Sequence, residues 1–201
     1  MALFTLSSWP LLFICAAMVV AAVIDGWKLK VPNWLTFPLI FSGWGLGLLQ
    51  NLGVIASFSG PDGATYDGGI GAALAGTALG FALLLPVYAI GGMGAGDVKM
   101  QMGFGSWIGA FFGMSPGLWT IFMAFCIAVI LGGFIALGMI MIRGQYRTNL
   151  ANTREIVGDL FTSSGVGDVA EKAAKRKPRL HLLPYGIPLC LGFVGYLLYV
   201  L

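Results

Sequence analysis

Six apolar runs, each about the length needed to cross a bilayer, take up most of this chain. A helix through a hydrocarbon layer about 30 Å thick needs roughly 20 mostly apolar residues. Such runs lie near 6–24, 34–53, 70–90, 98–113, 118–142 and 182–201, the fourth being the shortest. Of 201 residues, 58% are apolar and only 9% charged, whereas about 25% charged is ordinary for a globular protein. Too little polar surface is left for a water-soluble domain, a disordered chain or a secreted disulfide scaffold. The expected fold is all-α: one polytopic membrane-embedded domain over 1–201, with about six transmembrane helices. No Lys or Arg precedes the first run, so it reads as an anchor rather than a signal peptide.

Basic residues set the orientation, because cytoplasmic loops collect Lys and Arg. In a six-span arrangement all eleven fall on one side. Lys28 and Lys30 follow the first run, Lys99 opens the fourth, and the other eight occupy 143–181. The opposite segment 51–69 carries only Asp62 and Asp67. Both termini are therefore expected outside. The basic segment 143–181 reads as a solvated linker that enforces orientation or touches anionic lipid. The spacing of Ile156, Val157, Leu160 and Phe161 also admits a helix lying on the membrane surface.

Metal and cofactor chemistry is poorly supplied. Cys15, Cys126 and Cys190 lie far apart in apolar runs, and His181 is the sole histidine. No metal site, cofactor or nucleic-acid partner is expected. Small residues four apart, Ala72, Gly76 and Gly80 in the third run and Gly105, Gly109 and Gly113 in the fourth, suit close helix packing in lipid.

An ionisable residue at membrane depth asks for a reason, and two carboxylates qualify. Asp25 immediately follows the first apolar run. Asp97 lies in Gly94-Ala95-Gly96-Asp97-Val98-Lys99, before the fourth. The topology puts both at the cytoplasmic boundary. Two carboxylates facing each other across a water are the minimal equipment of an aspartic protease, because like charges held close cannot both ionise near neutral pH. One acts as general base on water, and the other polarises the scissile carbonyl. Gly94 and Gly96 would let an extended substrate chain come near Asp97. No phosphate-binding pattern fits the same glycines. Val31 before Pro32 is held extended, so a defined turn should separate the first two runs and help to fix Asp25. Asp25 is placed at a helix C-terminus and Asp97 near a helix N-terminus with Lys99, which makes Asp25 the candidate for the protonated partner.

In combination these blocks resemble the type IV prepilin peptidases, membrane aspartic proteases with a Gly-x-Gly-Asp motif. The carriers are Asp25 with Val31-Pro32-Asn33, Gly94-Ala95-Gly96-Asp97-Val98-Lys99, and Leu183-Pro184-Tyr185-Gly186-Ile187-Pro188. The resemblance implies that Asp25 and Asp97 are the catalytic pair, with Gly94, Gly96, Lys99, Pro32 and Asn33 as candidates for shaping the site or binding substrate. It implies a multi-pass protein of the bacterial inner membrane whose partner is a prepilin-like precursor. The basic leader of that precursor would be cut off just before its hydrophobic helix. The cysteine-bearing N-terminal region of bifunctional members has no counterpart here, so the chain resembles the short peptidase-only form of tight-adherence pilus systems, without methyltransferase activity. Presenilin-like enzymes share the Gly-x-Gly-Asp element but differ around the first aspartate. From other classes, a cation- or proton-coupled transporter or channel component using the same two aspartates is the alternative, followed by a noncatalytic assembly protein.

Overall fold

The computed structural model describes residues 9–58, 65–89, 92–143 and 185–200. Their regular structure is helical: α1 (Trp9–Lys28), α2 (Asn33–Asn51), α3 (Ile70–Ala89), α4 (Ala95–Phe112), α5 (Met114–Arg143) and α6 (Gly186–Val200). Of these, α1, α3 and α5 are long and apolar enough to cross a membrane, and α6 is a shorter apolar helix. Most of the basic segment, residues 144–184 with His181, lies outside the described residues, as does Asp62.

The six runs correspond to six helices, with three shifts of boundary. First, α1 continues past the apolar run to Lys28, so Asp25 lies inside its last turns rather than beyond its end. The Leu29 N–H donates to the Asp25 carbonyl at 2.7 Å, and Leu29 then takes φ 51°, which stops the helix. Pro32, with extended backbone, caps α2; its carbonyl accepts from the Leu35 and Thr36 N–H groups. Second, α4 begins at Ala95, which puts Asp97 in its first turn. Third, the expected connection at 114–117 is already the first turn of α5. Gly113 alone makes the reversal with φ 81°, and Pro116 is tolerated where helix N–H groups have no internal partner.

The centre of the bundle is α4, which packs against all five other described helices. That position explains its composition. A helix enclosed by protein needs no lipid-compatible surface, but it does need small residues where backbones approach. A Cβ on Gly105 would collide with the Gly76 carbonyl, one on Gly76 with the Gly105 carbonyl, and one on Gly109 with the Ala72 carbonyl. The small-residue rows thus form the antiparallel α3–α4 seam. Gly113 is the exception, spent on the turn. Against α2, which runs parallel to α4, Trp107 donates from Nε1 to the Leu39 carbonyl at 3.0 Å. Trp44 donates to Thr77 Oγ1 at 2.9 Å. Both indoles are thus packing residues.

Outward faces are apolar. Phe134 and Ile142 of α5 are 69% and 87% exposed, and Trp27 near the end of α1 is 87% exposed. Contiguous exposed apolar surface of this kind suits lipid rather than water.

Because overpacking costs typically about 1–3 kcal/mol and more where backbone must move, Gly105→Leu should lower the thermal midpoint in detergent markedly. Gly138→Leu, where an added Cβ meets nothing within 4 Å, should leave it near the parent. Equal midpoints for the two variants would show that the seam does not depend on close approach.

Candidate active site

Asp25 is 2% exposed and faces the interior of the bundle. Its Oδ2 accepts the Gly186 backbone N–H at 2.8 Å, a contact spanning 161 residues of sequence. Gly186 is the first residue of α6, so the donor is one of the N–H groups that a helix start leaves without an internal partner. Glycine is required by the space: a Cβ there would lie 2.8 Å from Asp25 Cβ and 2.9 Å from Oδ2.

Asp97 is 5% exposed and occupies the third position of α4. Its Oδ2 accepts the N–H of Gly94, the N-cap residue, at 3.2 Å. This is half of a capping box, since glycine has no side chain to return the bond. Gly96 fits against the turn after α1, where a Cβ would approach the Val31 backbone N and O at 3.0 Å. Asp97 Oδ1 is buried and has no hydrogen-bond partner among the described residues.

The fold brings the two carboxylates to the same end of the bundle, where Gly186 meets Asp25 and Gly96 meets the turn after α1. Tyr185, immediately before α6, joins them. It is partly buried and packs against the core next to Gly186. Two enclosed acids, each accepting a backbone N–H from a helix start, thus share this end of the bundle.

The surroundings revise one expectation. Asp25 was expected to differ from Asp97 by sitting at a helix C-terminus. It does lie in the last turns of α1, but it also faces the N-terminus of α6, while Asp97 lies in the first turn of α4. The helix dipole therefore does not single out Asp25 as the protonated partner. Lys99 does not separate them either. Residues two apart on a helix point to different faces, and Lys99 Nζ donates to Asn33 Oδ1 at 2.9 Å while lying 4.7 Å from the centre of the Phe37 ring.

Among the site-shaping candidates, Gly94 binds an aspartate directly. Gly96 and Pro32 set the approach of the α1–α2 turn to α4, and Asn33 with Lys99 clamps the heads of α2 and α4 together. Trp34 is 68% exposed and borders an apolar cleft of about 450 Å³ between α1 and α2. Two residues were passed over as site candidates. Gly186 stood in a recognised block but gave no hint that it reaches Asp25. Gln101, fully buried one turn beyond Asp97, could have been noticed as an amide at membrane depth.

Residues 12–137, well over half of the chain, match the model of the type IV leader peptidase family, and the chain belongs to that family. No curated protein and no solved structure matches it. The matched stretch contains Asp25 and Asp97, while the Gly186 block lies beyond it. Membership supports a leader peptidase-like function and lends nothing to the transport or assembly readings.

Small displacements of a reacting group can cost on the order of 100-fold in rate. Gly186→Ala should therefore reduce peptidase activity by roughly that factor, because its methyl group would displace the Asp25 carboxylate. Gly45→Ala, with nothing within 4 Å of the added Cβ, should retain parent activity. Full activity in Gly186→Ala would detach Gly186 from the site.

Proposed function

We propose that the protein is an aspartic endopeptidase in which Asp25 and Asp97 form the catalytic pair. The observation that carries this reading is the burial of two carboxylates at one end of an apolar bundle, each accepting a backbone N–H. The substrate is a prepilin-like precursor, cut at the junction between its leader and its hydrophobic helix. A precursor anchored by that helix presents the junction at the membrane boundary, the level of both aspartates. Membrane partitioning then contributes more to recognition than long-range charge attraction, since Lys28, Lys30 and Lys99 share this end with the aspartates and would not draw in a basic leader.

In the reaction, the ionised carboxylate takes a proton from the attacking water. The protonated one donates a hydrogen bond to the scissile carbonyl as the tetrahedral intermediate forms. Collapse of that intermediate breaks the peptide bond, and the leaving amine receives a proton from the pair. Because the two acids titrate as a unit, the proton belongs to the pair rather than to either member. The backbone bond to Asp97 Oδ2 leaves Oδ1 without a partner among the described residues.

The proposed setting is a multi-pass protein of the bacterial inner membrane, with six spans, both termini outside and the aspartates at the cytoplasmic face. Assignment to the tight-adherence pilus type rests on the resemblance of the sequence blocks.

General acid–base groups contribute about 100-fold to 10,000-fold. Detergent-solubilised Asp25→Asn and Asp97→Asn should each lose at least about 100-fold in cleavage of a prepilin-like peptide that includes its apolar segment, while keeping the thermal midpoint near the parent. Either variant cutting as well as the parent would end the catalytic assignment. In cells, cysteines introduced at Lys30 and at Ser57, in a background without native cysteines, should react with membrane-impermeant reagents from opposite sides. Labelling from one side would contradict the orientation.

A further inference from the structure

Gln101 is a buried polar side chain that the reaction as described does not use. It is fully excluded from solvent, and neither Nε2 nor Oε1 has a hydrogen-bond partner among the described residues. A carboxamide in such a place is costly, and buried polar groups in folded proteins are as a rule paired. Packing alone does not ask for an amide here. Met100, Phe104 and Ile108 nearby on α4 are buried and apolar.

The position points to the partner. Residues four apart on a helix are neighbours on one face, which puts Gln101 directly behind Asp97. Helical side chains lean toward the N-terminus, so Gln101 leans toward the turn that bears Asp97. Gly80 of α3 leaves it room: a Cβ there would lie 3.3 Å from Gln101 Cγ. Asp97 Oδ1 is the complementary orphan, buried and unpaired, while Oδ2 is taken by Gly94. The other ionisable groups near this end serve elsewhere or approach from other elements. Asp25 comes from α1, Tyr185 precedes α6, and Lys99 is turned to Asn33.

We infer that Gln101 is a positioning residue whose amide engages Asp97 Oδ1, directly or through one water, during the catalytic cycle. This rests on the catalytic assignment of Asp97. An amide suits the task because it serves both protonation states. Its Nε2–H donates to the ionised carboxylate, and its Oε1 accepts from the protonated one after a flip of the terminal torsion. No proton leaves the glutamine. It holds the plane of the carboxylate while the proton changes hands between Asp97, water and the leaving amine.

The test uses full-length Gln101→Leu and the length-matched Gln101→Met, assayed with the same prepilin-like peptide beside Asp97→Asn. Both Gln101 variants should lose about 10-fold in kcat with KM within about twofold of the parent. Their thermal midpoints should equal or exceed the parent's, because each removes an unpaired buried amide. A purely structural glutamine would give parent kcat in a folded variant, and that result overturns the inference. A loss confined to KM, or one that tracks a lowered midpoint in both variants, overturns it as well. If Asp97→Asn cuts like the parent, the catalytic reading itself has failed. If Asp97→Asn is inactive while both Gln101 variants keep parent kcat, the positioning role alone falls.

Discussion

A carboxylate inside an apolar bundle must find a donor, and this protein supplies one from the head of a helix twice. Gly94 at the start of α4 serves Asp97, and Gly186 at the start of α6 serves Asp25. Both donors are backbone groups that a helix start leaves free, so the requirement is met without burying an opposite charge, which would itself be costly to desolvate. It also couples the site to the architecture. The pair assembles only if α6, near the end of the chain, returns to the end of α1, and if α4 starts two residues before its aspartate.

The central place of α4 follows from the same demand. A helix that carries Asp97 and Gln101 cannot face lipid along those positions. The structure surrounds it with the other five helices, and the glycines Gly76, Gly80, Gly105 and Gly109 are what let α3 come close enough to close one side. The segment least like a membrane span by composition is thereby the best enclosed. The lipid-like surface falls instead to α5, whose Phe134 and Ile142 are largely exposed.

Much of this was legible in the residues. Runs of apolar length gave the helices, the Val31-Pro32 pair the turn after α1, and the two isolated carboxylates the site. Helix ends were less legible. Hydropathy marks where a chain stops being apolar, whereas a helix stops where its hydrogen bonds do, so α1 ran on through Asp25 to Lys28. Tertiary partnership beyond the small-residue rows and the expected meeting of the aspartates was not legible. The contact of Gly186 with Asp25 depends on how α1 and α6 pack, and the turning of Lys99 toward Asn33 depends on the parallel course of α2 and α4. The expected electrostatic difference between the aspartates is offset for that reason: it considered each carboxylate with its own helix and left out the α6 start that faces Asp25.

The central claim is that the α1 and α4 carboxylates meet at one end of the bundle. It is tested most directly by replacing Asp25 and Asp97 with cysteine in a chain from which Cys15, Cys126 and Cys190 have been removed. Treatment with a short bifunctional thiol reagent, followed by mass spectrometry, reads out the meeting. The account predicts an intramolecular crosslink between positions 25 and 97 in the folded, detergent-solubilised protein. Independent modification of the two thiols with no crosslink, in folded protein and with precursor peptide present, would contradict it.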